Sequence, residues 1–142
     1  MESFENRPES KKDTTITIDR SKPFVPESGS SEKVLEEGNG ERLVELDLST
    51  VRLSTDDGVT RMYTDRGEEI FADAQLCYAI FDNQDKIPEN WKKALENEDG
   101  ILFAGTLLEY DGDNDCYYKL NFHKEQNLEG SWEIDIRSLK DI

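Results

Sequence analysis

The last forty residues of the chain carry the pattern that most restricts its fold. Three apolar runs, ILFAGTLLEY from Ile101, CYYKLNF from Cys116 and SWEIDI from Ser131, are separated by segments of polar turn residues. In the third run, apolar residues alternate with Glu133 and Asp135, which is the period of a strand with one buried face. The three runs therefore predict a C-terminal three-stranded antiparallel meander.

A strand pair is predicted closer to the middle of the chain. The run RLVELDLSTVRL, residues 42–53, alternates apolar and polar positions in the same way, which indicates a half-buried strand. The DDG sequence at residues 56–58 is a turn signal, and VTRMY after it supplies the returning strand.

Between the strand pair and the meander, the period changes to that of a helix. In AQLCYAIFDNQ, Leu76 and Ile80 are four residues apart, as are Cys77 and Phe81, and Asp73 in front of them is a suitable N-cap. In IPENWKKAL, the proline suits the first turn of a second, short helix. The order of elements predicts an α+β fold: a strand pair, one or two helices, and the meander.

The first forty residues have a different composition. They hold few large apolar side chains and three of the four prolines, so they cannot bury enough surface to offset the entropy of ordering. We expect a mostly disordered tail over residues 1–40 and a single α+β domain over residues 41–142. Within the tail, TITI at residues 15–18 alternates and could add a short strand or dock on a partner.

The formal charge of −16, from 33 acidic and 17 basic residues, restricts the choice of partner. Direct binding to nucleic acids depends on Lys and Arg displacing counterions, so we expect none, and we expect no binding to an anionic membrane for the same reason. Residues 41–142 carry 24 acids and 11 bases, a net of −13, which places most of the acidity on the predicted domain. This acidity can serve solubility alone, or it can imitate the phosphates of a nucleic acid.

The N-terminus has no apolar core of a signal peptide, and no apolar run in the sequence approaches the length of a membrane span. Two cysteines are too few and too far apart to indicate a disulfide scaffold or a zinc site. A reducing, cytoplasmic setting is the simplest interpretation.

The DGDND segment resembles a calcium-binding loop only in part. Asp111, Asp113 and Asp115 fill the first three acidic positions of such a loop, but Cys116 stands where glycine is needed and Phe122 where glutamate is needed. The flanking segments also have the period of strands rather than helices. We therefore predict a hairpin turn, and the sequence indicates no metal or cofactor site.

Catalytic motifs are not recognisable in the sequence. Cys77 lies on the apolar side of the predicted helix, where a small buried hydrophobic residue is expected. The one nucleophile–base pair that can be drawn joins Cys116 to His123, the only histidine, in an acidic neighbourhood that does not favour a thiolate. We expect a protein that is not an enzyme, with an enzyme lacking any known motif as the third alternative.

A binding role fits the sequence better. Trp91 and Trp132 are expected to fill the small core, whereas Tyr117 and Tyr118 are adjacent in a strand and must point to opposite faces, so that one of them is exposed. We expect a non-catalytic module that binds a protein partner. The alternative is an acidic mimic that inhibits a basic nucleic-acid-binding protein, as a phage counter-defence factor does. The candidate partner-binding residues are Tyr117, Tyr118, Asp111, Asp113 and Asp115.

From about Phe24 onward, the chain resembles a family of small, uncharacterised bacterial proteins. The shared pattern is Asn-Gln followed by Ile-Pro-Glu-x-Trp-Lys at residues 83–92, Phe-x-Gly-Thr at residues 103–106, a Tyr-rich strand and a Trp-containing strand. The resemblance implies a bacterial or phage origin and a shared fold, with no known activity and no catalytic residue. Further tryptophans and a basic residue of that family are replaced here by Ile134, Ile136 and Asp115.

Overall fold

A computed structural model describes residues 13–27, 29–38, 40–96, 100–124 and 130–141. Two α-helices and eight strands lie within these residues, which confirms the predicted α+β class. The elements are β1 (Thr15–Asp19), β2 (Lys33–Glu36), β3 (Leu43–Asp47), β4 (Arg52–Asp56), β5 (Val59–Tyr63), α1 (Ala74–Asp82), α2 (Glu89–Leu95), β6 (Ile101–Tyr110), β7 (Asp113–His123) and β8 (Ser131–Ser138).

The main sheet has six strands. Five of them follow the order β4-β5-β6-β7-β8, and β2 pairs with the far end of β6. Antiparallel pairing joins β6 to β7 and β7 to β8, which confirms the predicted meander. The pair β5–β6 is parallel, and it meets at Thr60 and Ile101. In the described part of the chain, β8 pairs with β7 alone and so forms one edge of the sheet.

Two hairpin turns have the backbone conformation that their sequences predict. The acidic turn has Asp111 at φ 54° and Gly112 at φ 85°, and the turn between β4 and β5 has Asp57 at φ 54° and Gly58 at φ 78°. Positive φ at both central residues is the requirement of a type I′ turn, which suits the twist of the flanking strands. The DGDND segment is thus a hairpin turn, as predicted.

The core lies between the sheet and the elements that cover one of its faces. Helix α1 begins after its N-cap Asp73 and contacts β1, β6, β7 and β8, while α2 contacts β7. The predicted burial of Trp91 and Trp132 is confirmed, with 1% and 6% of the two residues exposed. None of the described helices has the length and apolar character needed to cross a bilayer.

The predicted strand over residues 42–53 is in fact two strands. A 3-10 turn at Leu48–Thr50 separates β3 from β4, and β3 pairs with β1 in a second, two-stranded sheet. The Asp47 side chain accepts a hydrogen bond from the Ser49 amide at 3.0 Å and so caps the turn. Because Leu48 is fully buried, the turn is anchored in the core, and the alternating pattern alone could not reveal it.

The structure also differs from the predicted disordered tail. Residues 1–12 lie outside the described residues, but β1 and β2 both form within the segment predicted to be tail. In β1, Ile16 and Ile18 are 2% and 1% exposed, because their two-residue period directs both side chains into the core. The possible short strand at residues 15–18 is therefore confirmed, and the folded unit begins well before residue 41.

A buried ion pair attaches this N-terminal segment to α1. The Arg20 guanidinium donates to the Asp73 carboxylate, with Nε 2.8 Å from Oδ2 and Nη2 3.1 Å from Oδ1. The two side chains are only 10% and 5% exposed. Asp73 also accepts from the Leu76 amide at 3.0 Å as the N-cap, and the Arg20 guanidinium lies 5.2 Å from the centre of the Phe71 ring.

Gly105 lies where β6 passes close to the chain before α1. Its amide donates to the Ala72 carbonyl at 2.6 Å, and a Cβ at this position would stand 2.7 Å from the same oxygen. Only glycine allows this approach without moving the backbone. The close approach of the two backbones therefore explains why glycine stands at residue 105.

Candidate functional site

One acidic residue of the predicted binding site, Asp113, is bound by groups in its own turn and at the C-terminal end of β8. The Asp113 carboxylate accepts hydrogen bonds from the Ser138 hydroxyl at 2.5 Å and from the Asp115 amide at 2.9 Å, and it lies 3.7 Å from the Lys140 ammonium. The Ser138 hydrogen bond is the main reason why the pKa of Asp113 is lowered. Asp113 therefore helps to hold the end of β8, while Asp111 forms the turn itself.

Tyr117 and Tyr118 point to opposite faces of β7, as predicted, but neither is fully exposed. Tyr118 is buried on the core side, and Tyr117 is half-buried on the other side. Burial is the main cause of the raised pKa of Tyr117, and the Asp115 and Glu36 charges add to it. Among the predicted binding residues, Tyr118 lines a cleft.

Tyr118 belongs to a cluster of three aromatic rings. Its ring centre is 5.5 Å from that of Tyr78 on α1 and 5.7 Å from that of Phe24, and both contacts are edge-to-face. Phe24 and Tyr78 are 5.3 Å apart. The two edge-to-face contacts of Tyr118 place the positive edge of one ring against the negative face of another. The cluster joins the segment after β1, the first helix and the meander.

Beside this cluster lies the tyrosine cleft, an open cavity with a volume of about 560 Å³. The Tyr118 hydroxyl donates to the Glu32 carboxylate at 2.7 Å, so the cleft contains a phenol and a carboxylate in direct contact. Its defining residues come from the loop before β2, from α1, from β7 and from β8. They are Glu27, Glu32, Tyr78, Tyr118, Ile134 and Ile136.

The tyrosine cleft combines negative charge with aromatic surface. Lys119 and its cross-strand partner Asp135 also border it, but their side chains point to the other face of the sheet, so Glu27 and Glu32 supply the net charge of the cleft. Tyrosine rings attract a cation through their negative faces, and a carboxylate provides a charged acceptor. The cleft therefore suits the ammonium or guanidinium end of a side chain.

Burial disfavours the phenolate of Tyr78 and is the main reason why its pKa is raised to about 12. Burial is also the main reason why the pKa of Tyr118 is raised, and the rise there is larger. Folding thus favours the neutral phenol of Tyr78. Its contribution to the free energy of unfolding is complete below the unfolded pKa of 10.0 and is lost as the pH rises towards 12.

We expect urea unfolding experiments between pH 10 and pH 12 to show a falling free energy of unfolding, with a shallower fall for Tyr78→Phe. An equally steep fall in the variant would contradict a neutral, partly buried Tyr78.

The sheet edge runs beside the tyrosine cleft. Ile134 and Ile136 lie on the cleft side of β8, and β8 has no strand on its outer side within the described residues. In an antiparallel pair, alternate residues direct their backbone N–H and C=O groups away from the partner strand. The outer groups of β8 can therefore receive another extended chain.

The Cys116–His123 pair is not formed in the structure. Seven residues apart in a regularly paired strand, the two side chains point to opposite faces of β7, and Cys116 is only 2% exposed on the core side. Burial is the main cause of the raised pKa of the Cys116 thiol, and burial likewise raises the pKa of Cys77. Both cysteines are free and buried, and neither favours a thiolate.

Two residues of the tyrosine cleft, Glu32 and Tyr78, are not predicted from the sequence. Glu32 lies in the segment that was predicted to be disordered, and no local pattern marks it. Tyr78 follows Leu76 by two positions, which places it at the side of the apolar stripe of α1, where a polar tip can reach the surface while the ring packs inside. That position is a weak sequence signal for a residue that lines a cleft.

Comparison with protein-family models, with curated proteins and with solved structures finds no match to this chain. The resemblance to small bacterial proteins stays a prediction, and the geometry of the tyrosine cleft is the basis on which function can be argued.

Proposed function

We propose that this protein is a non-catalytic protein-binding module that adds an extended segment of its partner to the open edge of β8. A cationic side chain of that segment enters the tyrosine cleft. The observation that carries this proposal is the position of an acidic, aromatic cleft directly beside a sheet edge that no strand of the described residues covers.

The edge accounts for affinity, and the cleft accounts for specificity. A strand that joins β8 forms backbone hydrogen bonds whatever its sequence, while its alternate side chains fall on the same face as Ile134 and Ile136. These alternate side chains of the bound segment are directed towards the cleft. We therefore expect the bound segment to be extended and β-branched, with a lysine or arginine at the position that faces Glu32.

The net charge favours a basic partner over longer distances. At −16, the chain attracts positively charged segments and speeds their encounter, and this effect weakens as salt is added. Charge also supports the second candidate, an acidic mimic that occupies a basic nucleic-acid-binding protein. The two candidates differ in where the binding energy resides: in the tyrosine cleft and β8, or in carboxylates spread over the surface.

A cytoplasmic location remains part of this proposal. Both cysteines are free and buried, which is compatible with a reducing compartment.

Octapeptides selected from a random library on the full chain should contain one lysine or arginine among β-branched residues. We expect Glu32→Gln to weaken the binding of such a peptide by about 10–100-fold, because a charged hydrogen bond contributes about 1.5–3 kcal/mol. Fluorescence anisotropy of the labelled peptide measures the effect.

Glu68→Gln is the matched control, because Glu68 is exposed, does not line the cleft and loses the same charge. Equal weakening by the two substitutions, with binding that disappears at moderate salt, would contradict a specific cleft and favour the acidic mimic.

A further inference from the structure

The outer side of the β7–β8 pair brings together three side chains that commonly bind metals. His123 ends β7, opposite Ser131, while Glu133 and Asp135 lie on β8 opposite Asn121 and Lys119. Paired residues in a sheet point to the same face, and alternate residues along a strand share that face. The imidazole and the two carboxylates therefore point the same way, and one ligand atom from each lies within 4.8 Å of the other two.

From this cluster we infer a binding site for a divalent transition metal of the zinc type, formed by His123, Glu133 and Asp135. Imidazole nitrogen together with carboxylate oxygen is a donor set that zinc accepts, and three protein ligands leave a further position for water. A purely acidic cluster would favour calcium or magnesium instead. The single imidazole is what directs the choice towards transition metals.

The spacing of the donors fits such an ion. With bonds of about 2.1 Å, two ligand atoms of a tetrahedral zinc ion are about 3.4 Å apart. The His123 Nε2 and Glu133 Oε1 atoms are 3.5 Å apart, which is close to that edge length. The remaining separations are at most 4.8 Å, a difference of the size that a change of side-chain rotamer produces.

A neighbouring amide also orients one of the ligands. The Asn121 side-chain nitrogen donates to the Asp135 carboxylate, and Asn121 itself is buried. Outer hydrogen bonds of this kind fix the direction of a ligating carboxylate. His123 and Glu133 are each 52% exposed, so an ion can reach the site from solvent.

The sequence alone does not reveal this site, because each of its three residues is ordinary when taken singly. His123 precedes Glu133 by ten positions, and only the register of the β7–β8 pair brings them together. The signal that could have found them is the alternation of Glu133 and Asp135 on the side of β8 opposite to Trp132.

Zinc titrated into the metal-free full chain and followed by calorimetry should bind with one high-affinity equivalent. Co²⁺ bound at the same site should show visible absorption. We expect His123→Ala and Glu133→Gln each to weaken zinc binding at least about tenfold, because each removes a direct ligand. Both residues are exposed, so neither substitution removes core packing, and circular dichroism verifies the fold.

Asp111→Asn with Asp115→Asn is the control, because it removes two exposed carboxylates from the acidic turn and leaves the three ligands intact. As His123 is the only histidine, its imidazole protons give a second measurement by NMR, and zinc should shift them. Several equivalents of zinc bound equally by the parent chain and by His123→Ala, with unshifted imidazole protons, would overturn the inference. Because Asp135 also lines the tyrosine cleft, no variant is made there, so this test and the peptide test can fail independently.

Discussion

Replacing Arg20 with alanine is expected to lower the free energy of unfolding by about 3–5 kcal/mol, the usual cost of removing one partner from a buried ion pair. The substitution leaves the Asp73 carboxylate, which is 5% exposed, without its bidentate counter-charge. It also removes the donor to the Glu41 carbonyl and the stacking on Phe71. Urea unfolding followed by tryptophan fluorescence measures the change.

The control for Arg20→Ala is Arg61→Ala. Arg61 pairs with Glu69 at 3.6 Å, but the two side chains are 39% and 55% exposed, so the loss should stay below about 1 kcal/mol. Asp73→Asn, which retains an oxygen for the N-cap, completes a double-mutant cycle with Arg20→Ala. A small effect of Arg20→Ala, equal to that of Arg61→Ala, would contradict the attachment of the N-terminal segment to α1.

Replacing Trp91 with alanine is expected to lower the free energy of unfolding by a similar amount, about 3–5 kcal/mol, because the change empties a buried aromatic site. Trp91 is the largest of the fully buried side chains and anchors α2 together with Leu95. Helix α2 has seven residues, too few to be stable without tertiary packing. We therefore expect local loss of α2 as well as a lower melting temperature.

Two further substitutions separate burial from helix propensity. Trp91→Phe should cost less than Trp91→Ala because it leaves a smaller cavity. Lys93→Ala, on the exposed side of the same helix, should change stability by no more than about 0.5 kcal/mol. An unchanged melting curve for Trp91→Ala would place the indole at the surface and would contradict its role as the anchor of α2.

The parts of the fold that could be predicted are those with local signals. Strands β6, β7 and β8 are consecutive, each has an apolar run, and the turn residues between β6 and β7 fit only a hairpin. Helix α1 is likewise predicted by the helical period of its apolar residues and by its N-cap, Asp73. For these elements, the residues that decide the structure are neighbours in the sequence.

The parts that could not be predicted depend on distant partners. Strand β1 pairs with β3, as Thr15 with Asp47, and β2 pairs with β6, as Val34 with Leu108. Polar composition suggested disorder there, but a few buried side chains and the Arg20–Asp73 pair are enough to order the segment. Composition averages over a segment, whereas burial is decided residue by residue.

The tyrosine cleft shows the same limit for the site. Tyr118 was among the candidate binding residues because it adjoins Tyr117, but its partner Glu32 is 86 positions away. No pattern in the sequence connects the two. The three acidic residues of the turn are close together in the sequence, but the structure uses one of them, Asp113, to accept a hydrogen bond from Ser138 at the end of β8.

Hydrogen exchange of the full chain, with and without a selected lysine-containing octapeptide, tests the central claim most directly. If the peptide joins the sheet edge, alternate amides of β8 (Ser131–Ser138) should exchange more slowly in the complex, because only those facing outward gain hydrogen bonds. The account predicts this alternating protection, and predicts that Glu32→Gln removes it at the same peptide concentration. Tight binding that leaves the exchange of β8 unchanged would contradict it.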